Sequence, residues 1–549
     1  MTPAHPPATT APESRAPDRE DVTAHLTAWL EEAALVPDPD PEAPLRDLGV
    51  DSLDLIRAAR QVDQVFGVHV PLRDLLADAL TLPGLVRLVL ERAGTRRGPS
   101  AHGLAHPFTV LAPPQEQAWE TQPPQRDQWN QAMLFTTGPD VDPTTLQDAV
   151  RRLVAGHQSL RLAFDAKPAR RPEQRAEALG ADDRLPDVFD VVDLTETPDD
   201  RLSEAVTLRC AVEQRSLDLR AGRVLRVVWF DAGSGRRGRL LVVAHQLTVD
   251  MLSWSVLLAD LQDLYLRLAA GDTEARCDEG TPYLRWAEAL AAYARTPEAE
   301  QEAVWWNRVA RTPGHVPLDV PHADPWAANT AATAATHREE FTKEETEALL
   351  TRAPGLLGCH PGEVVLHALG ETLAAWRGGD AVRLDILSHG REETVGDVDL
   401  TRTTGWFTTT VPISLDLSPG TPHERVARTH GHLAALPTGG VGHGALRQHG
   451  RPRISAALRG AEPSAVSYDY EGSDADDVPL GELLLDVADE PVGDITAPDW
   501  VRPHLIEVIV TTDDGVLCVE WWYSTALHHH RTIQRLAADH RAALRALLV

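Results

Sequence analysis

The sequence of 549 residues allows about three or four domain-sized units. Its 52 Lys and Arg against 82 Asp and Glu give a formal charge of −30, which argues against nucleic-acid binding because contacts to a phosphate backbone need clustered cations. An apolar fraction of 43% excludes wholesale disorder, and no apolar run is long enough to span a membrane. The four cysteines stand far apart without CxxC spacing, which fits a reduced, cytoplasmic protein and predicts no metal site.

The N-terminal part of the chain predicts a tail followed by a small helical domain. Residues 1–17 contain no apolar segment of the kind that signal peptides have, and we expect a disordered tail there. Residues 18–93 show apolar positions at three- and four-residue spacing, with Asp21 as the expected cap of the first of four helices. The other expected helices are at 52–66, 71–77 and 81–93.

Ser52 stands in the most specific pattern of this first domain. The segment reads LRDLGVDSLDLI, with a turn at Gly49 and Asp51 directly before Ser52. With one helix before it and two after it, the pattern resembles that of the acyl and peptidyl carrier proteins. The resemblance implies that a phosphopantetheinyl transferase attaches 4′-phosphopantetheine to Ser52, and that this arm carries an acyl group as a thioester. A serine at a helix N-terminus suits a phosphodiester because free backbone N–H groups face it, although Ser52 alone would also fit an ordinary helix cap.

The rest of the chain predicts one large domain that mixes strands and helices. Residues 94–107 are rich in Gly, Pro, Ser and charge and predict a linker, and the large domain follows at 108–549. Apolar runs that alternate with helical patterns indicate an α/β fold. A polar helix near position 300 is expected to join two lobes, at about 108–290 and 300–549. Further expected elements are strands at 238–244 and 505–510 and helices at 143–155, 251–269 and 362–377.

The most informative segment of the large domain is LVVAHQLTVDMLSW, in which an apolar strand leads to His245 and Gln246, and Asp250 precedes a helix. It resembles the HHxxxDGxSW motif of the condensation superfamily of nonribosomal peptide synthetases. The resemblance implies two chloramphenicol-acetyltransferase-like lobes with a tunnel between them, which receives the carrier's arm. Further segments resemble the epimerization branch of this superfamily, in its order along the chain: HGRE at 389–392, TGWFT at 404–408, PTGGVGHG at 437–444 and VSYDY at 466–470.

The sequence departs from the family's pattern at two positions that carry acid–base chemistry. Epimerization removes and returns the α-proton of an aminoacyl thioester, which needs a base, an acid and stabilisation of enolate charge. The resemblance places the family's second histidine at Gln246 and its glutamate at Leu387. Neither side chain exchanges a proton near neutral pH, and each lost acid–base group costs about 10²–10⁴ in rate. We therefore expect neither ordinary epimerization nor the usual condensation role of that histidine. Met251 replaces the glycine after Asp250 and is expected to narrow the space beside the motif.

Four other residues are candidates for chemistry in the tunnel. His389, His443 and Tyr470 lie in segments that line or approach the family's tunnel, and Glu392 belongs to the same group. Each has a structural alternative. His389 and Glu392 would complete buried hydrogen bonds, Tyr470 would form part of the wall, and His443 would lie at the surface.

Other polar groups are interpreted as structural. The resemblance gives His245 and Asp250 mainly the task of holding the shape of the motif. Three adjacent histidines at 528–530 would point in different directions from a helix start, so they do not predict a metal site. The cysteines stand in no recognisable nucleophile context.

Three functions remain open for the large domain. It processes the carrier-bound group by a non-standard reaction, it is an inactive pseudo-epimerase that presents the loaded carrier to enzymes acting in trans, or it is a true epimerase with a displaced base. The sequence contains no adenylation pattern and no GxSxG thioesterase motif. We therefore expect a separate adenylation enzyme and downstream condensation or tailoring enzymes as partners.

Overall fold

The computed structural model of the protein divides into two compact units, residues 1–98 and 99–549. The described residues are 17–33, 39–48, 50, 52–75, 80–93, 106–121, 126–165, 171–176, 188–353, 359–393, 395–396, 398–473, 480–513 and 515–548. Of the predicted tail and linker, residues 1–16 and 94–105 lie outside these ranges. Within them, no helix has both the length and the apolar character that crossing a lipid bilayer requires.

The first unit consists of helices around a small apolar core. Leu26, Ile56 and Val89 are fully buried in it, one from each of the three longer helices. The apolar spacing predicted these helices because each turns one apolar face to the others. The helices are α1 (Arg19–Ala33), α2 (Ser52–Phe66), α3 (Leu72–Leu75) and α4 (Leu82–Arg92), with a short 3₁₀ helix at Leu45–Leu48.

The start of α1 differs from the sequence prediction. The helix begins at Arg19, so Asp21 lies in its first turn and is not the cap. Asp18, directly before the helix, accepts a hydrogen bond from a backbone N–H of the first turn at 3.0 Å. At α4 the cap is Thr81, whose hydroxyl accepts from the N–H of Gly84 at 3.3 Å. Side-chain oxygens thus satisfy backbone donors that a helix start leaves unpaired.

The second unit alternates helices and strands. Its helices are α5 (Pro113–Thr121), α6 (Pro143–Gly156), α7 (Asp199–Glu213), α8 (Met251–Ala269), α9 (Tyr283–Tyr293), α10 (Pro297–Val309), α11 (Pro325–Ala328), α12 (Lys343–Arg352), α13 (Pro361–Arg377), α14 (Pro422–Ala434), α15 (Val441–His449), α16 (Pro452–Arg459) and α17 (His530–Leu547). The helices predicted at 143–155, 251–269 and 362–377 are present as α6, α8 and α13. The predicted polar helix near position 300 is α10, but it also buries Trp306 almost completely.

Two sheets occur in the first half of this unit. A small antiparallel sheet contains β1 (His106–Val110), β4 (Glu173–Ala176) and β3 (Leu162–Asp165), in that order. A five-stranded sheet has the order β12 (Asp486–Val487), β2 (Asn130–Thr137), β7 (Gly238–His245), β6 (Leu225–Asp231) and β5 (Phe189–Asp193). The predicted strand at 238–244 is therefore its central strand, and its side chains are almost all buried between packed layers.

The five-stranded sheet corrects the predicted division into lobes. Strand β12 pairs antiparallel with β2, with Asp486 opposite Thr136 and Val487 opposite Phe135. A segment that follows residue 300 by almost two hundred positions thus completes the first sheet. The lobes at 108–290 and 300–549 are not continuous in the chain, because this short edge strand returns to the first one.

The second half of the unit has a six-stranded mixed sheet. Its order is β10 (Thr409–Asp416), β9 (Ala381–Ser388), β11 (Val466–Ser473), β13 (Ile506–Asp513), β14 (Val516–Ser524) and β8 (Ala334–Glu340). Strand β11 runs parallel to both β9 and β13, and the other pairs are antiparallel. The predicted strand at 505–510 is β13. Strand β9 and the segments before β11 and β13 lie close together and carry several of the polar side chains of the candidate site.

Candidate active site

Ser52 is the first residue of α2, a helix of 15 residues. The backbone N–H groups of the first turn of a helix have no partner within the helix and carry partial positive charge. Such a helix N-terminus is a favourable place for a phosphodiester. The position therefore fits the 4′-phosphopantetheine group that the sequence pattern implies.

In the second unit, His245 ends strand β7 and is fully buried. Its Nδ1 accepts a hydrogen bond from the backbone N–H of Leu247 at 3.1 Å, so Nε2 carries the proton and donates to the carbonyl of Arg126 at 2.8 Å. Burial lowers the pKa of His245 to about 4, although the bond to Arg126 opposes this shift. The imidazole is neutral near pH 7, and both of its nitrogens bind backbone groups.

Asp250 joins three segments of the domain. It caps α8, where its Oδ1 accepts from the N–H of Ser253 at 2.8 Å and from the hydroxyl of Ser253 at 2.7 Å. The same oxygen accepts from the guanidinium of Arg391 at 3.1 Å. Its Oδ2 accepts from the backbone N–H of Phe407 at 3.0 Å. The carboxylate is thus occupied by bonds that hold the motif, the strand end of β9 and the segment before β10 together.

Arg391 is fully buried on the other side of this ion pair. Its guanidinium also donates to the carbonyl groups of Leu400 at 2.9 Å and Thr403 at 2.6 Å. It lies 4.0 Å from the centre of the Phe407 ring, where a cation interacts favourably with the aromatic face. A buried charge needs such compensation, and Arg391 receives it on several sides.

Gln246 is held by a chain of side-chain hydrogen bonds. The indole N–H of Trp254 donates to the amide oxygen of Gln131, and the amide nitrogen of Gln131 donates to Oε1 of Gln246 at 2.9 Å. The backbone N–H of Gln246 donates to the carbonyl of Trp129 at 3.0 Å. These contacts fix an amide where the family pattern has a histidine, and an amide takes up no proton near neutral pH.

Leu387 and Met251 show where the other two sequence departures lie. Leu387 is half-buried in β9, opposite Thr410 of β10. Met251 is 51% exposed, and its effect on the space beside the motif stays a prediction. The motif's framework is therefore kept around Asp250, while positions 246 and 387 supply no acid or base.

A cavity of about 430 Å³ lies next to this framework. Trp129 forms one part of its wall and packs against Trp500, with ring centres 4.2 Å apart, and against Trp406 at 5.2 Å. Trp306 and Trp326 also line it. Five tryptophans thus line this cavity, which favours a bound group with apolar or aromatic character.

His443 is the candidate from the sequence that lines this cavity. Its ring packs edge-on against that of Trp306, with centres 5.3 Å apart. Burial lowers the pKa of His443 to about 4; the charges of Arg447 and Arg383 act in the same direction and that of Asp385 opposes them. It is neutral near pH 7 and would be a weak base.

His389 and Tyr470 are not among the lining residues of the cavity. His389 is half-buried, and its Nδ1 accepts from the backbone N–H of Arg391 at 3.0 Å. The ring of Tyr470 packs edge-on against His360, with centres 5.1 Å apart. The contact of His389 fits its structural alternative, whereas Tyr470 is not part of the cavity wall as its alternative expected. Catalytic roles for both stay predictions.

Glu392 also lies outside the cavity wall. It is half-buried and packs so closely against Gly439 that a side-chain carbon there would meet its carboxylate. Burial raises the pKa of Glu392, and the neighbouring Glu393 adds to the effect. Its packing indicates a role in holding the turn at 437–440.

Asp385 and His504 form a pair in the cavity that the sequence did not predict. Asp385 lies on β9, and its Oδ2 is 2.9 Å from Nε2 of His504, which stands just before β13. The hydroxyl of Ser464 donates to Oδ1 of Asp385 at 2.6 Å. All three line the cavity. The sequence contains a hint of Asp385, because residues two apart in a strand share a face and Asp385 is two residues before Leu387. It contains none of His504.

The remaining reactive groups have structural surroundings. All four cysteines are buried and free, and burial raises the thiol pKa of Cys210 and Cys359 to about 12. Such thiols are poor nucleophiles. A buried group of His157, Asp260 and Cys277 has metal-like spacing, but Arg402 ion-pairs with Asp260 and supplies the positive charge there.

The three adjacent histidines turn to different partners. The ring of His528 packs against Trp376, with centres 5.8 Å apart. The backbone N–H of His529 donates to Asp319 at 2.8 Å, and Nδ1 of His530 lies 3.0 Å from the hydroxyl of Tyr523. The three histidines thus point in different directions, as the sequence predicted for adjacent residues at a helix start.

Both units of the chain match known protein families. Residues 26–89 match the phosphopantetheine attachment site family, and residues 107–548 match the Condensation domain family. The chain belongs to the condensation-domain family. A phosphopantetheine attachment domain precedes its condensation domain, so 4′-phosphopantetheine is its prosthetic group. The predicted combination of a carrier with a domain of the condensation superfamily is confirmed.

Curated relatives match both domains of this chain within much longer chains. A linear gramicidin synthase polypeptide of Brevibacillus parabrevis is 31% identical over 506 residues, which are 91% of this chain and 10% of the relative. Chondramide synthase cmdD of Chondromyces crocatus is 30% identical over 502 residues, 91% of this chain and 12% of the relative. The chain thus spans about a tenth of the length of these relatives.

Solved structures support the fold of the condensation domain. The epimerization domain from the third module of tyrocidine synthetase B has a TM-score of 0.70 at 23% identity, covering 81% of this chain and 97% of its own. The X-domain from teicoplanin biosynthesis, in its complex with OxyB, has a TM-score of 0.61 at 19% identity, covering 83% and 96%. Both show that the second unit has the condensation fold.

Proposed function

We propose that the protein tethers an aminoacyl or acyl group as a thioester through Ser52 and processes it in the cavity of the condensation domain, by a reaction other than standard epimerization. The process would belong to natural-product biosynthesis, as the resemblance to peptide synthetases suggests. A phosphopantetheinyl transferase would install the arm, a separate adenylation enzyme would supply the acyl group, and downstream condensation or tailoring enzymes would receive the product.

The contrast between framework and reactive positions supports this proposal. Asp250 keeps its bonds to Ser253, Phe407 and Arg391, and a cavity lies beside them. Gln246 is held by hydrogen bonds in a form that cannot exchange protons, and Leu387 has no polar atom in its side chain. A preserved site that lacks the two groups of standard epimerization fits a different reaction on the same kind of substrate.

A pseudo-epimerase is the second candidate function, and the same two positions favour it. In that case the condensation domain would bind the loaded carrier and present it to enzymes acting in trans. The X-domain from teicoplanin biosynthesis forms a complex with OxyB, and this association of a similar fold with a second protein supports the candidate. A true epimerase with a displaced base ranks third, because it needs both an acid and a base beyond positions 246 and 387.

Mass spectrometry of the intact, loaded protein distinguishes these functions. A phosphopantetheinyl transferase and phenylalanyl-coenzyme A would load Ser52 directly, and phenylalanine suits a cavity walled by tryptophans. We expect the phenylalanyl group to leave the protein when a small amine is supplied, and to stay when Asp250 is replaced by Ala. A thioester that turns over only after partner enzymes are added would contradict processing and support the pseudoenzyme.

The attachment of the arm is tested by Ser52→Ala. This variant should gain no mass from the transferase, while the unfolding of the protein stays nearly unchanged because the substitution removes one hydroxyl at a helix start. A matched variant, Ser255→Ala on α8, should be loaded like the wild type. Arm attachment to Ser52→Ala would contradict the assignment.

A further inference from the structure

Asp385 and His504 form a histidine–carboxylate pair inside the cavity. They are 119 residues apart in the chain and meet because β9 and the segment before β13 lie close together, with β11 between the two strands in the sheet. Ser464, just before β11, bonds to the other oxygen of Asp385 at 2.6 Å. Asp385 is thus fixed from both sides, and it fixes His504 in turn.

The contacts of His504 determine which of its nitrogens can act as a base. Its Nε2 lies 2.9 Å from the Asp385 carboxylate and donates to it. Nδ1 of His504 then holds the lone pair. Among the described residues no group forms a hydrogen bond to this nitrogen, and protein atoms do not enclose it completely. An imidazole oriented by a carboxylate, with its second nitrogen open to a cavity, is the arrangement that activates nucleophiles in many enzymes.

Other groups of the cavity do not offer this chemistry. Arg383 is buried beside the pair, but its guanidinium donates to the backbone carbonyls of Ala310 and Glu462. His443 stays neutral and packs against Trp306. The family positions Gln246 and Leu387 carry no base. The pair is therefore the best-oriented acid–base group among the described residues of the cavity wall.

We propose that His504 is the general base of the condensation domain, oriented by Asp385, for attack of an amine or hydroxyl nucleophile on the carrier-bound thioester. This inference rests on the proposed function, since it requires that the thioester is processed in this cavity. Asp385 stands two residues before Leu387 on the same face of β9. The base would thus lie close to the position that has lost its acid group.

The step balances in protons and electrons. Nδ1 of His504 takes the proton of the attacking N–H or O–H group, whose electron pair forms a bond to the thioester carbon. The C–S bond then breaks, its electron pair goes to sulfur, and the imidazolium returns the proton to give a thiol. The Asp385 carboxylate stabilises the imidazolium between these two proton transfers. The step needs no oxidant or reductant.

Two variants test the pair against a matched control. With the phenylalanyl-loaded protein and glycine amide as nucleophile, we expect His504→Ala to lower the rate of amide formation by about 10²–10⁴ and Asp385→Asn to lower it at least about tenfold. His430→Ala removes another histidine bonded to a carboxylate, Glu363 at 2.9 Å, outside the cavity. It should leave the rate unchanged. Added imidazole should restore part of the rate of His504→Ala, which a merely structural role would not allow.

A second readout does not depend on activity. Diethyl pyrocarbonate should modify His504 in the protein without an acyl group, and mass spectrometry of the peptide should show protection once Ser52 carries a stable phenylalanyl amide. The modification of His430 should stay the same. Unchanged modification of His504 would overturn its place beside the bound group.

The outcomes separate the two proposals. A wild-type protein that forms no amide, as seen by mass spectrometry, contradicts the proposed function and the base together. Wild-type turnover with equal rates in folded His504→Ala and Asp385→Asn contradicts only the assignment of the base. Circular dichroism and thermal unfolding identify variants that fail to fold. If His504→Ala does not fold, the rate of Asp385→Asn and the labelling of His504 in the wild type decide.

Discussion

Asp250 and Arg391 form a buried ion pair at the candidate site, and breaking this pair should lower the stability of the condensation domain. Both are buried, and their ion pair connects α8 with the end of β9 at 3.1 Å. Asp250→Asn keeps the size of the side chain but leaves Arg391 without this counter-charge. Breaking a buried pair in this way costs about 3–5 kcal/mol, and we expect a loss of this size in the free energy of unfolding from urea denaturation.

An exposed pair provides the control for this prediction. Asp486 bonds to Arg237 at 2.7 Å, and both side chains are more than half exposed. Asp486→Asn should cost less than about 1 kcal/mol because solvent screens the interaction. Equal losses in the two variants would contradict the central role of Asp250 in the framework.

Glu279 gives the condensation domain a pH-dependent stability. It is buried, its Oε1 accepts from the backbone N–H of Gln158 at 2.9 Å, and its Oε2 has no partner among the described residues. Burial raises its pKa from 4.5 to about 8, against the opposing effects of Gln158 and Arg161. The unfolded chain releases this proton more easily. The stability that protonated Glu279 contributes is therefore fully present below about pH 4.5, and it is lost as the pH rises toward 8.

Glu279→Gln tests this dependence. Glutamine is neutral at every pH, so the variant should unfold like the wild type near about pH 5 and be more stable by more than about 1 kcal/mol near about pH 8. Urea denaturation at both pH values measures the difference. Glu274→Gln, at an exposed position, should show no such change with pH. Parallel stability curves for Glu279→Gln and the wild type would contradict a protonated Glu279.

At the residue scale, the sequence predicted those site residues that stand together in short motifs. Ser52, His245 and Asp250 were identified because their motifs are contiguous. His504 and Asp385 are separated by 119 positions, and only the sheet brings them together. The same holds for the half-buried position of His443, which follows from packing against Trp306 and not from its neighbours in the sequence.

Among the elements, the turn after β9 leaves no room for a side chain at Gly390. Gly390 has a φ of +67°, and a side-chain carbon there would lie 2.0 Å from the carbonyl oxygen of Phe407. Gly390→Ala combines backbone strain with this clash and displaces Arg391 next to it. We expect the free energy of unfolding to fall by at least about 2 kcal/mol.

A helical glycine serves as the comparison. Gly431 lies in α14, and a side-chain carbon added there would have no neighbouring atom within 4 Å, so alanine fits. Gly431→Ala should raise the stability by up to about 1 kcal/mol because alanine favours helix. A Gly390→Ala protein as stable as Gly431→Ala would show that the turn after β9 can relax.

Long helices with a periodic apolar pattern were predictable, and the shortest strand was not. Helices α6, α8 and α13 appear in the sequence as apolar residues at helical spacing over many turns. Strand β12 has two residues, both exposed, and joins β2 only through tertiary contacts. A periodic pattern needs several residues, so the discontinuity of the first lobe had no signal in the sequence.

At the scale of the whole molecule, the chain has the architecture of its family, whereas the loss of the family's reactive pair is what the sequence resemblance implies. The carrier and the condensation domain are present in order, and the framework around Asp250 is kept. Gln246 and Leu387 stand where the family pattern has a histidine and a glutamate. The sequence predicted this contrast, and the structure adds the cavity and the Asp385–His504 pair beside it.

The most direct test of the central claim is deuterium uptake at the α-carbon of a phenylalanyl group on Ser52, followed by intact-protein mass spectrometry in deuterated water. We predict no uptake by the wild type beyond that of the Asp250→Ala control, and measurable uptake after the double substitution Gln246→His and Leu387→Glu, which returns both acid–base groups. Uptake by the wild type at the rate of the double variant would show that the domain is an epimerase and contradict the account.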